Sequence, residues 1–495
     1  MKKIFLFLTI SLFSIPAMYA LVTWDGTSSE IWTQGTGTES DPFLIETPAN
    51  LAYLSTQVKG GELYTGKYFL QKDDFDLQSK TWTSIGTSTY KFEGNYDGGK
   101  KYISNLSASI FGYTNNVTIK NVIINGIFSS YSSPSTLIIE TQGVTMLHNC
   151  QNLATIKFTS GYATGGLVSS VTGTSILMEN CSNEGELKRT ASANSETAIS
   201  LGGLIGRVSA KAIIKNCHNK GEVYLSVSTS NLSGISSYVG GLIGMTTSDA
   251  TFIQCSNNGK VNSNARFSLT YGNIYTDICA YAGGLLSSCS AIATYEQCYC
   301  KGNIVATADY SYDHTSEISR TYGLGPGTSQ LGCYTNATME GEYIESTKNG
   351  KCSYNATNKR LYDQFGDAST CTEEKMKSPY IIPILNVIDD YFTMDLEGIN
   401  DGYPILKWQA GPRFTITGSC DANRGAVKGG GEYAPGNTVT LTATPKKGCT
   451  FVGWSDGVTD NPRTVTVEGD ATYIAQFTKS NYTIYVNQDC TSYIE

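Results

Sequence analysis

The stretch Gly-Gly-Leu-Ile-Gly at residues 202–206, followed by Asn-Cys-His-Asn-Lys-Gly-Glu-Val at residues 216–223, decides the fold because both halves recur along the chain. Gly-Gly-Leu starts at four positions that are 37, 38 and 43 residues apart: Gly165, Gly202, Gly240 and Gly283. A unit that returns at such intervals is typical of a solenoid, in which each repeat packs on the next one.

A cysteine ahead of a short polar turn marks the second half of each unit. These cysteines are Cys150, Cys181, Cys217, Cys255, Cys298 and Cys333. Short β-branched segments flank the turn and no helical period of useful length occurs, so we predict three short strands per repeat. The chain is therefore predicted to be all-β, with a right-handed parallel β-helix whose cysteines and paired glycines stack in ladders.

Two further columns are expected at the corners of the coils. Asn183, Asn219 and Asn257 follow the cysteines at a constant distance and should form a ladder of side-chain hydrogen bonds along the axis. Three glycines come next and are expected in a left-handed backbone conformation, which a side chain would disfavour: Gly185, Gly221 and Gly259.

The composition agrees with a β-rich, stacked structure. The 495 residues include 51 glycines, 11% aromatic and only 16% charged residues, so few charged helices are expected. A helix is plausible only around residues 372–387, but Pro379 and Pro383 break it up, and a capping segment is the preferred interpretation there. The net charge of −8 and the lack of a long basic run argue against nucleic acid as a partner.

The first 20 residues read as a secretory signal peptide. Lys2 and Lys3 precede an apolar run at residues 4–13, and Ala20 provides a small residue for cleavage. The apolar run is too short to span a bilayer, and no other segment reads as transmembrane. We expect an exported chain without a transmembrane segment, either secreted or associated with the outer membrane at a bacterial cell surface.

Export leaves the state of the 14 cysteines open. Stacked cysteines on neighbouring coils point alongside one another, so we favour buried, reduced thiols in the ladder over disulfides. Better disulfide candidates lie off the pattern, and their pairing does not follow from the sequence: Cys279, Cys289, Cys300, Cys352 and Cys371. Zinc at Cys298 and Cys300 is the alternative, but a second ligand pair is missing, and we expect no metal or cofactor.

Several short segments of the first 409 residues match a known pattern. They are residues 92–98, 103–106 and 111–112, Gly-Gly-Leu-Ile-Gly at 202–206 and 240–244, and Asn-Asp-Gly-Tyr-Pro-Ile-Leu-Lys-Trp at 400–408. Together they resemble the GLUG-motif surface proteins of Bacteroides-like bacteria, over residues 24–409. The resemblance implies an exported, adhesin-like β-helix.

Some proteins of that group carry an immunoglobulin-cleaving metallopeptidase beside the motif. Such a peptidase needs a His-Glu-x-x-His helix, in which two histidines one turn apart hold zinc and the glutamate activates water. The motif is absent here, because glutamate follows none of the three histidines, His148, His218 and His314.

The composition changes after Trp408, where strands alternate with glycine-rich turns. The positions concerned are Tyr433, Gly436, Val439, Leu441, Pro445, Gly448, Phe451, Gly453, Trp454 and Phe477. They resemble a divergent InlB-type B-repeat, a small β-grasp-like module that implies a spacer or stalk. No helix is expected between its strands, which departs from the grasp topology.

These patterns divide the chain into six segments. The predicted signal peptide covers residues 1–20, and an N-terminal cap with the first coils covers 21–110. GLUG-type β-helix repeats follow at 111–340, a C-terminal capping segment at 341–411 and the InlB B-repeat-like domain at 412–479. Residues 480–495 repeat the opening strand of that domain and are interpreted as the start of a truncated repeat or a frayed tail.

Catalysis on a β-helix would need a groove with paired carboxylates, as in polysaccharide lyases and glycoside hydrolases. Acidic residues are sparse in the repeats, and Glu184, Glu186 and Glu222 are interpreted as a solvated edge. The acidic run at residues 73–76 lacks the loop glycine and distal glutamate of a calcium site and is interpreted as a turn. We therefore expect no catalytic residues, with a carbohydrate-active enzyme as the alternative.

Loops of variable length are the predicted recognition site. The repeats insert residues 189–200, 226–238, 262–281 and 306–321 before the Gly-Gly strand. Stacked coils would place these loops along one side, where they carry Tyr238, Tyr271, Tyr275, Tyr281, Tyr310 and Tyr312. Rigid amphipathic tyrosines suit the recognition of a host or environmental glycan, glycoprotein or matrix, although the same loops could simply cover the solenoid. The predicted function is that of an exported, non-catalytic, adhesin-like protein.

Overall fold

The computed structural model describes most of the chain after the predicted signal peptide. The described residues are 21–130, 135–192, 198–230, 234–267, 277–296, 298–309, 316–322, 329–331, 333–335, 339–343, 352–356, 360–362, 368–369, 374, 377–385, 392–396, 398, 402–407, 410–411 and 413–479. Residues 1–20 and 480–495, for which a signal peptide and a partial repeat are predicted, lie outside them. The described residues up to Phe392 form one compact unit and those from Thr393 a second one.

Three long sheets wrap around the core of the first unit. The first sheet contains Val22–Thr23, Phe43–Ile45, Tyr68–Gln71, Phe75–Asp76, Asn95–Ser104, Phe111–Asn125, Ile138–His148, Gln151–Asn152, Val168–Val171, Ser175–Glu179, Ser182–Asn183, Ile205–Val208, Lys211–Lys215, His218–Asn219, Ile243–Thr246, Ala250–Ile253, Ser256–Asn257, Leu286–Cys289, Ala293–Glu296, Tyr299–Cys300, Ser329–Leu331, Cys333–Thr335, Arg360–Tyr362 and Ala368–Ser369. The second contains Ile127–Ser130, Thr155–Phe158, Leu187–Ser192, Val223–Thr229, Val261–Phe267, Ile304–Asp309, Met339–Tyr343 and Cys352–Ala356. The third contains Ala163–Gly165, Ala198–Gly202, Ile235–Gly240, Asp277–Gly283 and Ser316–Tyr322.

The strands of successive coils pair in parallel, so the prediction of a parallel β-helix is confirmed. Gly165 pairs with Gly202, Gly202 with Gly240, and Gly240 with Gly283, in one column of the third sheet. The leucine after each glycine pair points inward and is fully buried: Leu167, Leu204, Leu242 and Leu285. The core therefore consists of columns of like residues, as expected where each coil packs only on its neighbours.

Each coil holds five strand segments, and not the three predicted. In one coil the chain runs from Ala198–Gly202 in the third sheet through Ile205–Val208, Lys211–Lys215 and His218–Asn219 in the first sheet to Val223–Thr229 in the second. The coil nevertheless runs through three sheets, which agrees with the three predicted strands. The first bend, at Ser209 and Ala210, does not interrupt the alternation of buried and exposed residues, so periodicity did not reveal it. The second bend lies at Asn216, directly before the ladder cysteine.

The left-handed residue at the corner of the coil is the one before the ladder cysteine. Asn149, Asn180, Asn216 and Gln254 have φ values of 54°, 55°, 50° and 52°, whereas Gly185, Gly221 and Gly259 have no positive φ, so the conformation predicted for those glycines is wrong. The left-handed conformation exposes the carbonyl group of the preceding residue. The thiol of the cysteine that directly follows donates a hydrogen bond to this carbonyl oxygen. The distance from Cys217 Sγ to Lys215 O, for example, is 3.1 Å.

The corner glycines are required by space. A Cβ at Gly221 would lie 2.0 Å from the carbonyl oxygen of Gly185, and one at Gly259 would lie 2.0 Å from that of Gly221. The Gly-Gly pair meets a similar limit, since a Cβ at Gly203 would lie 2.0 Å from the oxygen of Gly241. Neighbouring coils approach each other so closely at these corners that any side chain would push them apart.

A helix at Pro48–Lys59, which was not predicted from the sequence, covers the N-terminal end of the β-helix. Thr47 caps it, Pro48 occupies its first turn, and the Asn50 side chain completes a capping box. Its buried face includes Leu51, Leu54 and Val58. The expectation that a helix occurs only at residues 372–387 was therefore wrong. That segment holds a 3₁₀ turn at Pro379–Ile381 and a short helix at Ile382–Leu385.

The pairing changes from parallel to antiparallel at the other end of the first unit. Cys352–Ala356 runs antiparallel to Met339–Tyr343, and Arg360–Tyr362 runs antiparallel to Cys333–Thr335. These returns pair with the edges of the last coil, which would otherwise expose unpaired backbone groups.

The second unit is a small β domain. After the short strands Phe392–Thr393 and Ile405–Leu406, its strands are Phe414–Cys420, Gly425–Lys428, Gly431–Tyr433, Thr438–Pro445, Cys449–Trp454, Arg463–Thr466 and Ala471–Lys479. Phe414–Cys420 pairs in parallel with Ala471–Lys479, and the other pairs are antiparallel. No helix occurs within residues 413–479, as the sequence indicated. Ile416, Leu441 and Trp454 lie in its core.

Candidate functional site

Two of the six predicted recognition tyrosines lie in the described residues. Tyr238 belongs to Ile235–Gly240 and Tyr281 to Asp277–Gly283, both in the third sheet. They lie within strands, although the sequence predicted them in loops. The other four lie outside the described residues: Tyr271, Tyr275, Tyr310 and Tyr312.

Tyr238 and Tyr281 form an aromatic stack on the outer face of the third sheet. They are paired in register, their ring centroids are 5.0 Å apart, and the rings are inclined by only 7°. The neighbouring side chains Val239 and Ala282 point into the core, so the tyrosines point outward and are half-buried. The position one coil earlier holds Ser200, which pairs with Tyr238.

The predicted loops are shorter than the sequence suggested. Strands Leu187–Ser192 and Ala198–Gly202 occupy most of the predicted loop 189–200, and Val223–Thr229 and Ile235–Gly240 occupy most of 226–238. Apart from Lys188 and Ala198, the outward side chains of these strands are Ser, Thr and Tyr, which suit either an exposed strand or a loop. The predicted loops therefore include residues that belong to the strands on either side of them.

Two acidic residues of the repeats lie close to lysines. Glu186 and Glu222 occupy equivalent places on adjacent coils, one residue before the pair Leu187 and Val223. Lys188 Nζ lies 3.9 Å from Glu186 Oε1, and Lys260 Nζ lies 3.8 Å from Glu222 Oε1.

In the acidic run at residues 73–76, Asp74 Oδ1 accepts a hydrogen bond from the backbone N–H of Tyr102, and Asp76 Oδ1 accepts one from the side-chain amide of Asn105. These carboxylates thus pair with groups of the protein.

The ladder cysteines are buried thiols. Cys150, Cys181, Cys217 and Cys255 are fully buried, and burial raises the pKa of each thiol above its ordinary value. A buried thiol with a raised pKa is a poor nucleophile and metal ligand, because both roles need the thiolate. Cys333 lies in the strand that continues this column. Within the described residues, no group of three His, Cys, Asp or Glu side chains could hold a metal ion.

The cysteines predicted as disulfide candidates divide into two groups. Cys289 and Cys300 are free thiols, so the interpretation of these two as disulfide partners is wrong, and Cys279 is a buried thiol in a strand of the third sheet. Burial raises the pKa of Cys300 to about 12. Cys371 lies outside the described residues, and for Cys352 only the strand is described.

A cleft at the N-terminal end of the β-helix was not identified from the sequence. It has a volume of about 390 Å³ and lies between the outer face of the first sheet and the segment that carries Glu39 and Pro42. Its floor contains Tyr68, Asn95 and Thr118, which are consecutive in one column, and Asp97 and Lys120 in the next column.

The signal for this cleft was present but weak. Each contributing strand has partly or fully exposed residues on both sides of a buried one, and all of these flanking residues except Leu70 are polar or aromatic. The buried residues are Phe69, Tyr96 and Ile119. The three strands lack the Gly-Gly-Leu and cysteine markers of the later repeats, so their register was not evident from the sequence.

Comparisons with known proteins identify two modules. Residues 197–224 match the family model of the GLUG motif, and residues 415–481 match that of the divergent InlB B-repeat domain. Both resemblances found in the sequence are thereby confirmed. The chain matches none of the curated proteins.

A distant match is found among the solved structures. It belongs to a candidate immunoglobulin A1 protease from Bacteroides ovatus, with 16% identity and a TM-score of 0.37, over 76% of this chain and 95% of that chain. A similarity at this level carries no argument about function. In the described part of the chain, no helix has the length and apolar character needed to cross a membrane.

Proposed function

We propose that this chain is an exported, non-catalytic surface protein, secreted or associated with the outer membrane, that binds a host or environmental glycan, glycoprotein or matrix component. The GLUG motif and the InlB B-repeat domain are modules of surface proteins and support the coarse part of the proposal. The observation that carries the finer part is the outward stack of Tyr238 and Tyr281 on the third sheet.

The stack presents a rigid, amphipathic surface. The two rings face each other at 5.0 Å, so a ligand that approaches Tyr238 from outside meets its ring edge and its hydroxyl group. The structure gives the Tyr238 hydroxyl no hydrogen-bond partner among the described residues, and it is therefore available to a ligand. Preordered aromatic side chains bind with little loss of conformational entropy, which suits the recognition of hydroxyl-rich molecules.

A glycan and matrix-protein array probed with the full chain tests this function. The double variant Tyr238→Ser, Tyr281→Ser keeps the residue type that Ser200 already shows in the same column. We expect it to weaken binding of the identified ligand about tenfold or more, which corresponds to about 1.4 kcal/mol. The control is Tyr224→Ser, a half-buried tyrosine of the second sheet that packs against Lys188. An array without any bound ligand, or equal binding by the double variant, would reject the proposal.

A polysaccharide lyase or glycoside hydrolase is the second candidate, because the N-terminal cleft contains two carboxylates, Glu39 and Asp97. Asp97 Oδ1 already accepts bonds from Gly99 N and the Asn121 amide, both at 2.9 Å, and Asp97 Oδ2 lies 3.3 Å from Lys120 Nζ. A carboxylate with both oxygens occupied is poorly placed to exchange a proton with a substrate. Incubation with a panel of polysaccharides decides the matter, since new reducing ends or unsaturated sugars would establish an enzyme.

A further inference from the structure

The floor of the N-terminal cleft is formed by two columns of outward side chains on three adjacent coils. One column contains Tyr68, Asn95 and Thr118, and the other contains Asp97 paired in register with Lys120. Coils are about 4.8 Å apart and alternate residues of a strand about 7 Å apart, so the floor measures roughly 10 Å by 7 Å. These dimensions suit one or two pyranose rings.

The wall of the cleft is a compact loop that is held in place by backbone hydrogen bonds. The carbonyl oxygen of Asp41 accepts bonds from Thr36 N, Gly37 N and Thr38 N at 3.0, 3.0 and 3.2 Å. The Tyr68 N–H donates to Gly37 O at 3.1 Å, which ties the loop to the first strand of the floor. A site formed in advance loses little conformational entropy when a ligand binds.

The polar groups of the floor are available to a ligand. The Tyr68 hydroxyl, the Asn95 side-chain oxygen and the Thr118 hydroxyl have no hydrogen-bond partner among the described residues. Leu70 and Pro42 add apolar surface to the same cleft. A few convergent polar groups beside an aromatic ring and an apolar surface match the two kinds of surface on a sugar, its hydroxyl groups and its C–H face.

The charges of the cleft discriminate against acidic sugars. Lys120 is paired with Asp97 at 3.3 Å, which leaves the exposed carboxylate of Glu39 without a balancing cation among the residues that line the cleft. A second carboxylate in this space, from a uronate or a sialic acid, would be repelled.

We propose that this cleft binds a short neutral saccharide of one or two pyranose rings. The inference rests on the proposed binding function for the general class of ligand, but it places the sugar at a site distinct from the stack of Tyr238 and Tyr281. In the complex, Tyr68 contributes its aromatic ring, and Asn95 and Thr118 contribute hydrogen bonds to sugar hydroxyl groups.

Saturation-transfer NMR with the full chain tests the inference with free sugars at millimolar concentration. The probes are cellobiose, lactose and N-acetyllactosamine, with 3′-sialyllactose as the acidic counterpart of lactose. We expect at least one neutral probe to bind and 3′-sialyllactose to bind at least tenfold more weakly than lactose. Tyr68→Ala should abolish the signal, Thr118→Val should weaken binding about tenfold, and the control Tyr224→Ala should leave it unchanged.

Two results would overturn the inference. The first is that no neutral sugar gives an NMR signal that Tyr68→Ala removes, and the second is that lactose and 3′-sialyllactose bind equally well. If Tyr68→Ala lowers the melting temperature, Thr118→Val carries the test, because it changes one hydroxyl for a methyl group. The Tyr238→Ser, Tyr281→Ser variant should bind the free sugars normally. Equal array binding by the Tyr238→Ser, Tyr281→Ser variant, beside an NMR signal that depends on Tyr68, therefore rejects the tyrosine stack alone. A negative NMR result beside array binding that the double variant loses rejects the cleft alone.

Discussion

The side-chain amide of Asn183 donates to Asn219 Oδ1 on the next coil at 2.7 Å, and the same nitrogen donates to the carbonyl of Gly185 at 2.9 Å. Asn152 and Asn257 extend this column, with amide–amide distances of 2.6 and 2.7 Å. All four side chains are fully buried. The column thus satisfies its own polar groups and joins consecutive coils inside a low-dielectric core, where such bonds are strong.

Replacing Asn219 by Ala should destabilise the first unit by about 2 to 3 kcal/mol, because the amide of Asn183 loses its acceptor and Asn257 loses its donor. Urea denaturation monitored by circular dichroism measures the change in the unfolding midpoint. Lys211→Ala, at an exposed position of the same coil, should change stability by less than about 0.5 kcal/mol. Similar midpoints for the two variants would show that the column contributes little.

Replacing Gly221 by Ala should also destabilise the coil stack, by about 1 to 3 kcal/mol or more, because the new Cβ would lie 2.0 Å from Gly185 O. The matched control is Gly60→Ala, where φ is −77° and the nearest atom to a new Cβ, Gln57 O, is 3.3 Å away. The melting temperatures of both variants check the prediction. An unchanged value for Gly221→Ala would mean that the coils can separate at this corner without cost.

His218 should make stability depend on pH. Its Nδ1 lies 2.6 Å from Ser256 Oγ in the core, and burial lowers the pKa of His218 from 6.5 to about 3. Above pH 6.5 the imidazole is neutral in both states, whereas below it the unfolded chain binds a proton that the folded chain refuses. The free energy of unfolding should therefore fall by about 1.4 kcal/mol per pH unit from pH 6.5 towards pH 3.

The variant His218→Gln isolates this contribution, since glutamine does not titrate. Denaturation curves at pH 7, 5 and 4 should show a smaller loss of stability for the variant than for the natural chain. Carboxylates contribute equally to both chains and cancel in the difference. Parallel pH profiles would mean that His218 is protonated in the folded state.

The ladder thiols should resist alkylation in the folded protein. Cys150, Cys181 and Cys217 are fully buried, and burial raises the pKa of each thiol. The alkylating reagent therefore cannot reach them, and the reactive thiolate form is scarce. Cys420 and Cys449 in the second unit are half-buried and should react sooner. Mass spectrometry after iodoacetamide treatment, with and without denaturant, measures the order. Modification of Cys181 at the denatured rate would contradict the buried ladder.

The elements that the sequence predicted well are those with a repeated local marker. The Gly-Gly pairs and the asparagines of the column lie in register because each coil repeats the same short pattern. The helix at Pro48–Lys59 carried clear signals, namely Thr47 and Pro48 at its start and apolar residues at Leu51, Leu54 and Val58. It was missed because the overall composition argued against helices. For a short capping helix, local signals such as these are better evidence than the composition of the whole chain.

The candidate sites were harder to predict because they depend on position and not on residue type. Tyr238 and Tyr281 were expected in loops, since an outward tyrosine on a strand has the same neighbours in sequence as one in a loop. The floor of the cleft combines residues from three coils of unequal length, and its wall comes from a loop whose placement depends on the Tyr68–Gly37 hydrogen bond.

The amino-acid order alone was enough to establish a stack of parallel coils, since every repeat carries its own turn, inward cysteine and close-packed glycines, and stacking follows from burying the same face of each unit. The tertiary structure decided which residues lie together at the surface. The Asp41-centred loop lies over Tyr68, Asn95 and Thr118 because of hydrogen bonds between segments distant in sequence, and no local pattern encodes such a meeting.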